Sequence, residues 1–154
     1  MRGIRMIQVG RMHKSFHAQA FDFYLDSVRR YISLDLIRVK DAKAEQTRQR
    51  LDREADRIIQ NIRTTDMVIV LDQTGKSLKS VDLAQKLTQW LEDPSGIPCF
   101  VLGGAYGLGT QVKSRARMTL ALGPMTLPHE LAAVVFMEQL YRALTIIRGH
   151  PYHH

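Results

Sequence analysis

Ile97-Pro98-Cys99-Phe100-Val101-Leu102, followed at once by Gly103-Gly104, is the stretch on which the fold turns. Its apolar side chains occupy consecutive positions, so a strand here is covered on both faces, as in a sheet with helices above and below. A second such run, Asp66-Met67-Val68-Ile69-Val70-Leu71, lies upstream. Between them Leu83, Ala84, Leu87 and Leu91 recur at helical spacing, with Ser80 expected as the N-cap. Strand, helix and strand in that order make a parallel pair.

The same alternation extends in both directions. Residues 4–9 and 34–39 read as strands, and residues 118–122 as the last one. A helix is expected over residues 13–30 with Phe16, Ala20, Phe23, Tyr24 and Ser27 near one face. Another is expected over residues 42–62 with Leu51, Ala55, Ile58, Ile59 and Ile62 as its stripe. Shorter and longer helices should follow over 110–117 and 129–148, the last packing through Leu131, Val134, Val135, Leu140, Leu144 and Ile147. The expected fold is an α/β sandwich with a mostly parallel sheet, in a single domain spanning residues 1–154.

Composition narrows the partners. Lys and Arg number 22 against 15 Asp and Glu, a formal charge of +7 that favours a polyanion, nucleic acid first. No apolar run reaches the length that crosses a bilayer, so a cytoplasmic protein without a membrane partner is expected. The single Cys99 cannot close an intrachain disulfide and is expected as a buried strand thiol.

In open α/β sheets ligands sit beyond the carboxyl ends of the strands. Three segments meet that condition: Asp72-Gln73-Thr74-Gly75-Lys76, Gly103-Gly104, and Gly123-Pro124-Met125-Thr126-Leu127-Pro128. The glycines of residues 103–109 have neither the dinucleotide spacing nor the Lys-Ser/Thr of a phosphate loop, so they read equally as turn geometry or as a ligand wall. His129 begins the last helix, and Gly149-His150-Pro151-Tyr152-His153-His154 ends the chain. These histidines lack carboxylate or thiolate companions, and no metal is expected. Lys113, Arg115, Arg117, Arg142 and Arg148 flank the ligand end as candidate phosphate contacts.

Several motifs together are similar to one known family. They are Val9-Gly10, Leu71-Asp72-x-x-Gly75-Lys76, Phe100-Val101-Leu102-Gly103-Gly104-x-x-Gly107-Leu108, Met125-Thr126-Leu127-Pro128-His129, Glu138-Gln139-Leu140-Tyr141-Arg142-Ala143 and His150-Pro151-Tyr152-His153. In this order and spacing the chain resembles the SPOUT-class methyltransferases that modify a pseudouridine of bacterial large-subunit ribosomal RNA. The resemblance implies a C-terminal deep trefoil knot, a homodimer, and S-adenosylmethionine bound by Leu71, Gly103, Leu122, Gly123, Pro124, Met125, Thr126 and Leu127. It implies methyl transfer to N3 of a pseudouridine in helix 69 of 23S ribosomal RNA, in the assembled ribosome. Arg142, Tyr152 and His153 would hold the target nucleotide, the tail of one subunit serving the other's site, and His129 or His153 would relay the proton. Two alternatives stand beside this reading: a knotted methyltransferase for another RNA such as transfer RNA, and a ribosome-associated binding protein that has lost catalysis.

The chain departs from the family pattern at two positions. Ala133 stands where relatives usually have arginine, which suggests a lost RNA contact, and Tyr106 stands where smaller or polar residues are common.

Overall fold

Among the residues that the computed structural model describes, 2–153, five strands form one sheet in the order β2-β1-β4-β3-β5, every neighbouring pair parallel. The elements follow as β1 (Ile4–Val9), α1 (Ser15–Arg29), β2 (Leu34–Val39), α2 (Thr47–Asn61), β3 (Asp66–Ser77) and α3 (Ser80–Glu92). After them come β4 (Ile97–Leu102), α4 (Thr110–Lys113), β5 (Met118–Ala121), α5 (His129–Ile147) and a 3-10 turn, Pro151–His153. The sheet is therefore wholly parallel, with helices on both faces covering its central strands, while the edge strand β2 is partly exposed.

One face carries Ile4, Met6, Phe100 and Leu102 against α1, α3 and α5; the other carries Ile7, Val9, Val68 and Val101 against α2 and α4. Phe100 is the centre of the first layer, its ring 4.9 Å from Phe136 and 5.9 Å from Trp90. Helix α1 runs alongside α5 in the same direction. Lys14 N donates to Glu130 Oε1 at 3.1 Å at one end, and the Tyr31 hydroxyl meets His150 Nδ1 at 2.6 Å at the other. Cys99 is fully buried in β4, and burial, with Asp66 nearby, pushes its thiol up to about 12, so it stays protonated. No described helix is long and apolar enough to cross a membrane.

Local expectations fail in four instructive places. β3 does not stop at Leu71: its pairing with β5 shifts between Leu71 and Lys76 and then resumes, so residues 72–75 bulge out of a longer strand. Ser80 does not cap α3. Lys79 holds the cap position and the Ser80 hydroxyl instead donates to Gln139 Oε1 at 2.6 Å, across to α5. α2 begins at Thr47 rather than near residue 42, because Glu54 Oε2 draws the Ala42 amide (2.9 Å) into a loop folded back on the helix. α1 turns Phe21, Leu25, Ser27 and Val28 inward and leaves Phe16 (64% exposed) and Phe23 (63%) outside, so aromatic residues occupy both of its faces.

In α5 the fully buried row is Ala133, Phe136, Met137, Leu140, Ala143 and Leu144, whereas Leu131, Val134, Val135 and Ile147 are half-buried beside it. Ala133 belongs to the core at 1% exposure.

Candidate active site

The bulge of β3 and the carboxyl ends of β4 and β5 open into one pocket of about 840 Å³. Three segments wall it: Leu71 to Thr74 at the bulge within β3, Leu102 to Leu108 at and after the end of β4, and Leu122 with its loop to His129 after β5. The strand-end argument thus locates a real cavity. Of the residues expected at a cofactor, Leu71, Gly103, Leu122, Gly123, Met125, Thr126 and Leu127 line it, while Pro124 sits in the same loop but does not.

Gly103 is where backbone approaches backbone. A Cβ there would lie 2.5 Å from the Gly107 carbonyl oxygen, so any side chain would force the loop open. The opposite wall is tied by Thr126 Oγ1 donating to Gln73 Oε1 at 2.8 Å. Asp72 accepts the Thr74 amide (2.9 Å) and pairs with Lys113 Nζ (3.0 Å). Burial pushes the Asp72 carboxyl up, yet the bonds from Thr74 and the Lys113 charge outweigh it and leave it below the ordinary carboxylate range. Lys113, read from sequence as a phosphate contact, is therefore part of the pocket wall.

His129 stands at the pocket mouth as the first residue of α5. Arg142 does not join it. Thirteen residues along the same helix place the two about 20 Å apart. At that far end α5 closes with Gly149 at φ +69°, its amide bonding Ile146 O (3.1 Å) and the His150 amide bonding Thr145 O (2.9 Å). This glycine-terminated cap turns the chain back along the helix. Tyr152 then packs on Tyr141 with ring centroids 4.6 Å apart. Glu138 joins the cluster: its Oε1 accepts Arg142 Nη2 (2.6 Å), Arg142 Nε (2.9 Å) and the Tyr152 hydroxyl (3.3 Å).

The Arg142 guanidinium also lies 4.9 Å over the Tyr152 ring. Burial, with help from Tyr24 and Glu138, pushes the Tyr152 phenol up to about 12. Glu138 holds Arg142 more firmly protonated still. The side chain of His153 and all of His154 lie outside the described residues, so their expected parts in the tail have no geometry here.

The structure thus separates the expected residues into two groups, His129 with the pocket and Arg142 with Tyr152 at the far end of α5. Sequence reasoning passed over Glu138 as an organising acceptor. Its signal was the i,i+4 spacing to Arg142. Among the described residues no cluster of three or more His, Cys, Asp or Glu is placed to hold a metal ion.

Comparisons with known proteins bear on this arrangement. The family described as "Predicted SPOUT methyltransferase" matches residues 1–153. The chain is 45% identical over 154 residues, all of both chains, to a protein of Solidesulfovibrio magneticus named Ribosomal RNA large subunit methyltransferase H. It is 37% identical, over 98% of both chains, to a protein of that name from Gloeobacter violaceus. Among solved structures it resembles a probable methyltransferase from Bordetella pertussis (TM-score 0.59, 13% identity, 93% of this chain and 95% of that one). It also resembles a probable methylase family protein from Haemophilus influenzae (TM-score 0.57, 16% identity, 96% of this chain and 69% of that one). At such identities the structural likeness speaks for the fold, and the full-length sequence matches speak for descent. The chain belongs to the SPOUT methyltransferase family.

Proposed function

We propose that this methyltransferase moves a methyl group from S-adenosylmethionine to N3 of a pseudouridine in helix 69 of bacterial 23S ribosomal RNA, with the assembled ribosome as substrate. The observation that carries the reading is the strand-end pocket, found in a chain whose full-length relatives bear the name of a ribosomal RNA methyltransferase.

The pocket suits the donor in size and chemistry. Its volume falls within the range of small-molecule sites. Leu71, Leu102, Leu120, Leu122 and Leu127 offer apolar walls for a purine, and the bare Gly103 backbone offers a cradle that a Cβ would fill. S-adenosylmethionine, when bound, supplies an electrophilic methyl on its sulfonium. Leu71, Gly103, Leu122, Gly123, Pro124, Met125, Thr126 and Leu127 bind and orient it in this reading. Much of the rate then comes from alignment and from excluding water.

The target N3–H must lose its proton. Tyr152, held neutral up to about 12, serves as a hydrogen-bond donor and not as a base near neutral pH. By the family resemblance, the imidazole of His129 or His153 accepts that proton. Arg142 and Tyr152, with His153, hold the nucleotide.

The separation along α5 supports a homodimer in which the tail of one subunit completes the pocket of the other. Exposed Phe16 and Phe23 on α1 give such a dimer apolar surface to bury. The sheet order, with β4 and β5 on opposite sides of β3, supports the C-terminal trefoil knot. A ribosomal substrate places the enzyme in the cytoplasm.

The test is transfer from labelled S-adenosylmethionine to ribosomes lacking this modification, with mass spectrometry of the helix 69 fragment. A methyl on N3 of the pseudouridine is expected. Transfer to transfer RNA alone would overturn the substrate, and cofactor binding without transfer to any RNA would overturn the activity.

A further inference from the structure

Three cations expected to meet RNA near the ligand end are already engaged: Lys113 with Asp72, Arg117 with Asp93, and Arg142 with Glu138. Lys113 stands at the pocket, Arg117 before the amino ends of β4 and β5, and Arg142 at the far end of α5; unmatched positive charge lies on the pocket's side of the sheet, at the carboxyl ends of β1 and β2. Where β1 and β2 end, the loop carrying Gly10, Arg11 and His13 faces the segment from Arg38 to Lys43 across a cleft of about 520 Å³. Arg11, Lys40 and Lys43 are exposed, and among the described residues none of them forms an ion pair. Arg38 is anchored by Gln8 Oε1 (3.3 Å) and by the Phe21 ring (5.3 Å), neither of which cancels its charge. Asp41 is the acid on these walls.

The cleft is stiff as well as basic. Arg57 Nη1 donates to Lys40 O (2.7 Å) and Arg53 Nη1 to Lys43 O (3.0 Å), while Arg50 Nε donates to Ala44 O. Three guanidiniums of α2 thus hold the loop by its carbonyls, adding charge that these contacts leave unneutralised. The cleft also adjoins the pocket. β1 pairs with β4, about one strand spacing of 4.8 Å away. Arg50 Nη1 donates to the Tyr106 hydroxyl (3.1 Å), and Tyr106, half exposed, stands on the pocket wall.

We propose that this cleft holds the phosphodiester backbone of the RNA flanking the target nucleotide. This rests on the reading that the substrate is RNA. A fixed loop bearing unpaired lysine and arginine beside the methyl-transfer pocket makes phosphate contacts that set register without reading bases.

The test compares two triple variants with the wild type. One is Arg11→Gln, Lys40→Gln and Lys43→Gln, whose loop carbonyls stay available to Arg53 and Arg57. The other, Arg30→Gln, Lys79→Gln and Lys86→Gln, removes the same charge elsewhere on the surface. Binding to a fluorescein-labelled helix 69 stem-loop and to large ribosomal subunits is measured across salt concentration. The cleft variant should bind about tenfold or more weakly near physiological salt, with a salt slope shallower by about two, while the second variant stays within about twofold of wild type.

Wild-type binding by the cleft variant, or an equal loss in the second variant, overturns the proposal. Should the wild type methylate transfer RNA instead of ribosomes while the cleft variant still binds RNA weakly, the cleft stands and the substrate reading falls. Should helix 69 be methylated and bound by the cleft variant as by the wild type, the reverse holds.

Discussion

The two ends of α5 differ in kind. At its amino end one chain assembles a half-open pocket, with backbone approaching backbone at Gly103 and walls tied by Gln73–Thr126 and Asp72–Lys113. At its carboxyl end Arg142 and Tyr152 share a carboxylate on an open surface, with Tyr152 37% exposed. The first end is shaped to enclose a molecule and the second to present side chains to one. With about 20 Å between them, a single chain cannot apply both to one reacting atom. The difference underlies the proposed dimer, in which a second subunit brings pocket and tail together, and it predicts that each can be disabled without the other.

The largest expected effect comes from removing the tail. Deleting Tyr152 to His154 should leave S-adenosylmethionine binding within about twofold and lower methyl transfer by about a thousandfold or more, since aligning the target supplies much of the rate. Calorimetry and a radiolabel assay read the two quantities separately, and unchanged turnover would break the comparison. Gly103→Ala attacks the other end. A Cβ 2.5 Å from the Gly107 carbonyl must push the loop apart, so cofactor affinity should fall about a hundredfold while the Arg142–Glu138–Tyr152 cluster stays intact.

Glu138→Gln should act more gently. It replaces the charged acceptor of Arg142 and Tyr152, partly exposed to solvent, and an effect of about 1.4 kcal/mol corresponds to roughly tenfold slower transfer with cofactor affinity unchanged. A drop in cofactor affinity in this variant would link the two ends within one chain.

The smallest effect is on stability in alkali. Tyr152 is raised in the folded chain, from an ordinary 10 to about 12, so folding favours its protonated form. That contribution is whole below pH 10 and is lost as pH rises toward 12. Tyr152→Phe should therefore flatten the fall in Tm over that window and leave neutral pH nearly unchanged. A profile identical to wild type would remove the account in which partial burial, Tyr24 and Glu138 hold the phenol protonated.

Much of this was legible in the chain because a strand buried on both faces leaves an uninterrupted apolar run. β4 spans the apolar run from Ile97 to Leu102, and β1 and β2, whose polar residues interrupt the pattern, still begin and end at residues 4–9 and 34–39 as expected. The pocket was legible for a related reason: strand-end loops must converge once the strands are parallel neighbours.

Other features depended on long-range choices. Phe16 and Phe23 share a face that looks as apolar as the one α1 buries, so periodicity alone could not decide between them. Ser80 has the right chemistry for a cap but was drawn away by Gln139, fifty-nine positions on. The basic cleft could not be read at all, because Arg11 and Lys40 to Lys43 become neighbours only through the β1–β2 register, in which Val9 faces Val39. The distance from His129 to Arg142 was available from helix rise alone, and it is the feature that points to the dimer.

The measurement that tests this account most directly mixes two disabled chains. Gly103→Ala has a damaged pocket and a sound tail; the chain lacking Tyr152 to His154 has the opposite. After unfolding and refolding together, half of the dimers are mixed, and each holds one sound site. Methyl transfer to helix 69 should then return to about a quarter of the wild-type rate. A refolded mixture that forms mixed dimers, shown by mass, and stays as inactive as its parents would contradict the claim that one subunit's tail serves the other's pocket.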